Sequence, residues 1–353
     1  MLQLSAAFLS PARPRALARW LLAVAAMIVG IVVVGGITRL TNSGLSITEW
    51  KPLTGIIPPL NEAQWQAEFA NYRRIPEYQQ FNRGMTLGGF QAIFFWEWLH
   101  RALARTIGMV FALPLLWFWV RKQIPAGYKP RLVALLALGG LQGAVGWWMV
   151  QSGLAVRTDV SHIRLAVHLG VALLTLAGIV WTALDLYRLH HEGRARPARM
   201  TGVGALALLL LAVQIIWGAF TAGLDAGFAF ASWPLMGDNL YPAGAATVPP
   251  LANAIDNPVA VQFVHRWFAF VAAAGLVWLA VRAWRVAPRS SILLVGLVVL
   301  QIVLGIATLL SGVQIDVAVT HQANAALLLV AAVSAAHALG RASTHALGRA
   351  SIR

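Results

Sequence analysis

Three ionisable residues, Glu97, His100 and Arg101, stand close together in an apolar segment that runs from about residue 87 to residue 120. Such side chains are expensive to place in hydrocarbon, and within a membrane-spanning segment they usually mark a functional site. On a helix, Glu97 shares a face with His100 and can pair with Arg101 four residues on. The segment predicts a site that combines a carboxylate with a histidine able to bind a metal or exchange a proton.

Four of the nine histidines lie well inside apolar segments: His100, His168, His265 and His321. Two imidazoles on facing helices of a four-helix bundle are typical of a bis-imidazole haem site. Zinc and non-haem iron sites usually need three or four closely spaced ligands, so they fit one histidine per segment less well. His162 lies at the mouth of its segment, and we expect it to be solvated or to touch a haem edge.

Eight apolar stretches are long enough to cross a bilayer and must position these residues. They span roughly residues 17–38, 88–120, 130–151, 162–187, 200–222, 258–284, 288–311 and 316–339. With 59% hydrophobic and 11% charged residues, the chain resembles a polytopic membrane protein rather than a soluble enzyme. Counted from the long connections at 40–86 and 223–257, all four histidines lie in the first turns of their helices, toward the outer leaflet.

The net charge of +15 follows the predicted topology. Of the 27 Lys and Arg residues, 17 fall on the side that holds both termini, which places the termini in the cytoplasm by the positive-inside rule. These charges lie on short loops rather than on one folded face, so nucleic acid is not an expected partner. The chain has no cysteine, which excludes disulfides, thiolate metal sites and cysteine nucleophiles.

Several motifs recur in the same order in the two halves of the chain, which indicates an internal duplication. Because each copy has four helices, the copies keep the same orientation, so the repeat is parallel. The predicted fold is an all-α integral membrane protein of eight transmembrane helices in two pseudo-symmetric four-helix bundles. The paired motifs are Gln142-x3-Gly146 with Gln301-x3-Gly305, His100-Arg101 with His265-Arg266, His168 with His321, and Gly44-x5-Trp50 with Gly227-x5-Trp233.

The two halves differ three residues before their first histidine, where one has Glu97 and the other has Gln262. This difference favours one half that performs chemistry and one that carries electrons. The alternative is that Glu97 only forms an ion pair with Arg101 or Arg105. Arg101 and Arg266, each beside a histidine, suit haem propionates.

Four regions follow from these predictions. Residues 1–16 form a cytoplasmic N-terminus, and residues 17–190 form the bundle of the substrate half. Residues 191–340 form the second bundle, and residues 341–353 form a disordered cytoplasmic tail.

In combination, these motifs resemble the haem A synthase family over essentially all eight helices. The residues that carry the resemblance are the run Gly35 to Ser46 (GGITRLTNSGLS), Trp50-Lys51-Pro52, Glu97-Trp98-Leu99-His100-Arg101, Gln142 with Ser152-Gly153, His168, His265-Arg266 and His321.

The resemblance implies a membrane oxidoreductase of the bacterial inner membrane that oxidises the C8 methyl of haem O to the formyl group of haem A. It implies a haem b cofactor whose iron is bound by His265 and His321. By the same resemblance, His100 and His168 flank the substrate haem iron, and Glu97 is the catalytic acid near the reacting methyl. The loop that carries Trp50 would help to cover that pocket.

Many members of this family carry a cysteine pair in an outside loop, which this chain lacks. The cysteine-free form resembles the proteobacterial and mitochondrial-like branch, and it excludes a thiol-based step here. Haem O, membrane lipid, haem O synthase and cytochrome oxidase assembly proteins are the expected partners, and homo-oligomerisation stays open. Two other functions also stay open: a two-haem membrane cytochrome b that transfers electrons from quinol, and a haem carrier or assembly factor.

Overall fold

The structure is a computed structural model that describes residues 12–51, 54–155, 157–193, 197–245 and 249–350. Within these ranges the chain is helical and contains no β-strand, apart from one isolated bridge between Met236 and Asn239. The helices, in chain order, are α1 (Pro14–Leu40), α2 (Glu62–Tyr72), α3 (Pro76–Gln80), α4 (Leu87–Val120), α5 (Lys129–Gln151), α6 (His162–Glu192), α7 (Gly202–Gly223), α8 (Pro250–Asp256), α9 (Pro258–Ala283), α10 (Pro288–Leu310) and α11 (Ile315–Ala350).

Eight of the helices in the described ranges are long and apolar enough to cross a membrane, as the sequence predicts. They are α1, α4, α5, α6, α7, α9, α10 and α11. Proline opens α1, α9 and α10, where its missing N–H would have no partner in the helix anyway. The eight-helix membrane fold is therefore confirmed.

The long helices pack as two groups, with α1, α4, α5 and α6 in one and α7, α9, α10 and α11 in the other. Helices α6 and α1 of the first group contact α7 and α11 of the second. At this junction Gln322 donates a 2.8 Å hydrogen bond to the carbonyl of Val32. Gly36 permits this approach, because a Cβ there would lie 3.1 Å from the Gln322 amide. The duplication predicted from the motifs remains a prediction.

A buried ionic cluster joins α5, α6 and α11 at the end opposite the long connections. Asp185 on α6 accepts hydrogen bonds from Arg131 Nη1 at 2.6 Å and from His337 Nε2 at 2.9 Å. It also accepts one from the backbone N–H of Ala198 at 2.9 Å. Because each oxygen of the buried carboxylate has a charged or polar partner, the cluster fixes three helices and a loop to one another.

The long connections form caps of short helices at the other end of the bundle. In the first connection, Phe69 and Tyr72 of α2 pack on Phe90 and Phe94 at the start of α4. With 34 residues α4 is about 51 Å long, so its first turns extend beyond a bilayer core of about 30 Å and support this cap.

One prediction about the C-terminus differs from the structure. Helix α11 continues to Ala350, whereas residues 341–353 were predicted to be a disordered tail. Ala, Leu and Arg dominate this stretch and are strong helix formers, so the helix extends past the apolar residues. Residues 351–353 lie outside the described residues.

Candidate haem sites

The four predicted histidines lie in two pairs, one in each group of helices. His100 on α4 and His168 on α6 are close enough to interact electrostatically, and so are His265 on α9 and His321 on α11. All four histidines are partly buried. The structure therefore brings together the pairs that the sequence predicts.

A glycine on the preceding long helix faces each imidazole ring. A Cβ would lie 2.9 Å from His168 Cε1 if placed on Gly146, and 2.9 Å from His265 Cε1 if placed on Gly218. On Gly305 it would lie 3.0 Å from Cε1 of His321, and on Gly35 it would lie 3.3 Å from Nε2 of His100. Carbon atoms rarely approach this closely, so a larger residue at these positions would displace the rings.

A glutamine four residues before the glycine contacts the ring in three of the four cases. Gln142 Nε2 lies 3.1 Å from His168 Nδ1, and Gln214 Nε2 lies 3.1 Å from His265 Nδ1.

Both of these amides also donate to the backbone carbonyl of their histidine, at 3.1 Å and 3.0 Å respectively. Gln301 Nε2 lies 3.3 Å from Nδ1 of His321. Gln214 was missed at the sequence level, although the spacing Gln214-x3-Gly218 repeats that of Gln142 and Gln301.

Glu97 is buried and anchors the loop after α1. Its side chain is only 3% exposed, and Oε1 accepts a 2.6 Å hydrogen bond from Arg101 Nη2. Oε2 accepts from the hydroxyl of Ser46 at 2.7 Å and from the backbone N–H of Ile47 at 2.6 Å. Arg101 also donates to the carbonyl of Ile47 at 3.0 Å. The ion pair left open as an alternative is thus present, and it holds residues 46 and 47 over α4.

Gln262 and Arg266 perform the corresponding task in the second group. Gln262 Nε2 donates to the carbonyls of Ala226 at 2.7 Å and Phe230 at 3.1 Å. Arg266 donates to the carbonyls of Phe230 at 2.8 Å and Ser232 at 2.9 Å, and to Gln262 Oε1 at 2.9 Å.

A further contact joins Arg266 Nη1 to the carbonyl of Leu235 at 3.3 Å, so both terminal nitrogens of this guanidinium contact acceptors in the protein. The Nε of Arg266 has no hydrogen-bond partner among the described residues, so this nitrogen is the donor left for the predicted contact with a haem propionate. The difference between Glu97 and Gln262 also has a structural reason, since one loop presents hydrogen-bond donors and the other presents carbonyl oxygens.

The first outer connection also contacts α5. The ring of Trp50 meets that of Trp147 edge to face at a centroid distance of 6.4 Å, and Trp147 follows the glycine that faces His168. Lys51 pairs with Glu49 at 2.6 Å and with Glu68 at 2.8 Å, which raises the lysine pKa above its usual value. These contacts hold the segment that was predicted to cover the pocket against the bundle.

Glu77 on α3 is a buried carboxyl group in the same connection. It is 5% exposed, and its Oε2 has no hydrogen-bond partner among the described residues. Burial, reinforced by the nearby charge of Asp159, raises the pKa of Glu77 to about 8. Glu77 is therefore mostly protonated at neutral pH.

The position of His162 differs from the prediction. It is 5% exposed rather than solvated, because the end of α7 and the short helix α8 cover it. A Cβ on Gly223 would lie 2.6 Å from the Cβ of His162, and Asp256 Oδ1 lies 3.1 Å from its Nε2. His162 thus connects the two groups of helices.

The residues present fit two bis-imidazole haem sites. Each pair offers two imidazoles, and each ring packs directly against the backbone of a neighbouring helix at a glycine. Among the described residues no group of three or more His, Asp or Glu side chains is placed to hold a metal ion. The amide oxygens of Gln142 and Gln214 are buried without a partner in the described chain.

Comparison with known proteins gives one consistent result. Residues 18–333 match the model of a family described as cytochrome oxidase assembly protein. A protein of Rhizorhabdus wittichii named Heme A synthase is 59% identical over 333 residues, which is 93% of this chain and 95% of that protein. Proteins of the same name from Sphingopyxis alaskensis and Novosphingobium aromaticivorans are each 54% identical, covering 94% and 92% of this chain and 94% and 95% of their own lengths.

Proposed function

The chain belongs to the haem A synthase family, multi-pass membrane oxidoreductases that make haem A for cytochrome oxidase, and from this premise we propose its reaction and its two haem sites. The proposed substrate is haem O, whose C8 methyl group is oxidised to the formyl group of haem A. The proposed cofactor is haem b. Two successive oxidations, each of which adds one oxygen atom from water and releases two electrons and two protons, would convert the methyl to an alcohol and then to a hydrated aldehyde, which loses water. The electrons would leave through haem b to an acceptor outside this chain.

The observation that carries this proposal is the pairing of four imidazoles, one pair in each group of helices. His100 and His168 bind the substrate haem in the first group, and His265 and His321 bind haem b in the second. Bound haem b supplies one-electron transfer chemistry. Two separate sites in one chain suit a reaction that needs both a reacting porphyrin and an electron carrier.

For Glu97 we propose first an anchoring role. Its two oxygens accept three hydrogen bonds, two of which hold Ser46 and Ile47 against α4, and in this proposal the anchored loop keeps water from the substrate. The catalytic role predicted for Glu97, a carboxylate that exchanges a proton beside the reacting methyl, would require Ser46 or Ile47 to release Oε2. Arg101 retains the predicted contact with a propionate of the substrate haem as a proposal, in addition to its bond to Glu97.

The proposed location is the bacterial inner membrane, with both termini in the cytoplasm. The distribution of Lys and Arg supports this orientation, and the exposed apolar side chains of α4, α5 and α10 support a location within a membrane. Haem O synthase and cytochrome oxidase assembly proteins are the proposed protein partners, because they supply the substrate and consume the product.

Co-expression with a source of haem O, followed by chromatography of the extracted haems, tests the proposed reaction. The wild-type chain should produce haem A, and His100→Ala or His168→Ala should abolish it. His190→Ala is the matched control, since His190 is exposed at the end of α6. Recovery of haem O unchanged would instead indicate a carrier, and recovery of haem b alone would indicate an electron-transfer cytochrome.

A further inference from the structure

A basic cavity lies where α1 begins, at the end of the bundle opposite the long connections. Its volume is about 320 Å³, and its lining includes three arginines, Arg13, Arg15 and Arg19. His190, near the end of α6, lines it from a second helix. None of these residues belongs to a histidine pair or to a long connection, so the proposed reaction does not use the cavity.

No carboxylate of the described chain pairs with the three arginines of the cavity. All 12 acidic residues lie in the described ranges, and only Asp185 and Glu192 lie at this end of the bundle. Asp185 pairs with Arg131 at 2.6 Å, and Glu192 accepts hydrogen bonds from Arg188 at 2.6 Å and 2.8 Å. Residues 1–11 contain no Asp or Glu. The positive charge of the cavity is therefore not neutralised by the protein.

The packing of α1 fixes the backbone that carries the arginines. Leu17 and Leu21, on the buried face of the helix, are both 0% exposed. The backbone N–H of Arg13 donates a 2.9 Å hydrogen bond to the carbonyl of Gln123, between α4 and α5. Because this backbone is already ordered, a ligand can bind without the cost of ordering it.

The arrangement of charge at the start of α1 favours an anion. Arg15 and Arg19 are exposed and lie one turn apart on one face of the helix, where like charges repel each other. The first turn contains no acidic residue, and no side chain caps it. The positive end of the helix dipole therefore adds to the charge of the guanidinium groups. A phosphate would offset this repulsion, and the guanidinium fork matches its oxygens in pairs.

An exposed apolar face continues from the arginines along α1. It consists of Leu22, Ala23, Ala26 and Gly30, which follow Arg19 at helical spacing. No atom of a neighbouring element lies within 4 Å of the place that a Cβ on Gly30 would take. These mostly small residues leave room for an acyl chain against the helix. A ligand that joins a phosphate to an acyl chain matches both features, whereas free phosphate matches only the cavity.

We propose that this cavity binds the phosphate group of an anionic phospholipid. The guanidinium groups donate hydrogen bonds to the phosphate, and one acyl chain lies along residues 22–30 of α1. The proposed orientation places this end at the cytoplasmic surface, where basic pockets between transmembrane helices bind anionic headgroups. A zwitterionic lipid binds less well, because its choline cation brings a further positive charge to the arginines.

Native mass spectrometry of the purified full-length protein in detergent tests this proposal. The protein is titrated with phosphatidylglycerol, and the occupancy of the first bound lipid gives its affinity. Phosphatidylcholine with the same acyl chains is the zwitterionic comparison. The wild type should bind one phosphatidylglycerol per chain, roughly tenfold more tightly than it binds phosphatidylcholine.

Two pairs of substitutions locate the site. Arg15→Gln combined with Arg19→Gln should weaken binding of the first phosphatidylglycerol roughly 25-fold, at about fivefold for each arginine. Arg282→Gln combined with Arg285→Gln is the matched control, since it removes the same charge from exposed arginines at the same end of the bundle that do not line the cavity. Salt at about 150 mM screens charges outside the cavity, so the control should stay within about twofold of the wild type.

Arg13→Gln decides the proposal if the double variant folds poorly. The Arg13 side chain does not cap α1, so its loss should leave the helix intact and still weaken binding about fivefold. Equal affinity of the wild type for the two lipids, or unchanged phosphatidylglycerol binding in the variants of the cavity, overturns the proposal. Displacement of the lipid by inorganic phosphate alone would show a site for free phosphate and would also overturn it.

Discussion

The anchoring role of Glu97 makes a quantitative prediction about the loop after α1. Glu97→Gln keeps the shape of the side chain but leaves one oxygen, so the new amide N–H₂ must face either Arg101 or the two donors at Ser46 and Ile47. Hydrogen bonds to charged groups contribute roughly 1.5–3 kcal/mol each. Opening the loop should therefore become easier by about 2 kcal/mol, which corresponds to a factor of about 30 in the opening equilibrium.

Amide hydrogen exchange, measured by mass spectrometry in detergent, reports this change directly, because the N–H of Ile47 is itself a donor to Glu97. Exchange at residues 46–47 should accelerate by about 30-fold in the variant. The matched control is Gln262→Glu, which turns a carboxylate toward the carbonyls of Ala226 and Phe230. That variant should accelerate exchange in residues 226–236 and leave the first loop unchanged.

Two results would refute the reasoning. Unchanged exchange at Ile47 in Glu97→Gln would show that the carboxylate does not hold the loop. Unchanged exchange combined with loss of haem A formation would instead support the direct proton-transfer role predicted from the sequence.

Three further predictions concern residues away from this anchor. Burial raises the pKa of Glu77 from its ordinary 4.5 to about 8, so the protein should lose stability as the pH rises from about 4.5 to 8. Glu77→Gln should remove this loss. A difference in thermal stability between the two proteins that stays constant from about pH 5 to about pH 9 would disprove the prediction. Gly218→Ala should push the ring of His265 and lower haem b occupancy in absorbance spectra, whereas Gly139→Ala, with open space around it, should not. Asp185→Asn should destabilise the bundle by roughly 2–4 kcal/mol in thermal denaturation, because it removes the buried carboxylate that pairs with Arg131 and accepts hydrogen bonds from His337 and the N–H of Ala198; an unchanged melting temperature would contradict this.

The long helices could be predicted from the sequence because each has to present about 20 apolar residues to lipid. Helix α4 was predicted at 88–120 and spans Leu87–Val120. The prediction was less accurate for α6, which was placed at 162–187 but spans His162–Glu192. The last turns of this helix are polar, so they lie beyond the apolar segment from which it was predicted. Hydropathy marks the part of a helix inside the membrane and not the end of its hydrogen bonding.

The contacts of the sites were harder to predict, because their partners are distant in sequence. Arg101 was identified as a partner of Glu97 from their spacing on one helix, but Ser46 and Ile47 lie about 50 residues away in an irregular loop. Gln214 was missed because the motifs were compared between the two halves, where α5 corresponds to α10. A comparison of the four long helices that each precede a histidine-bearing helix would have shown the spacing Gln214-x3-Gly218.

The number and type of haems retained by paired histidine variants tests the account most directly. The wild-type chain, purified after co-expression with a haem O source, should hold haem b together with haem O or haem A. His265→Ala with His321→Ala should lose haem b and keep the other porphyrin, and His100→Ala with His168→Ala should keep haem b alone. Identical haem content in the two double variants, or full retention in both, would contradict the assignment of one porphyrin site to each pair.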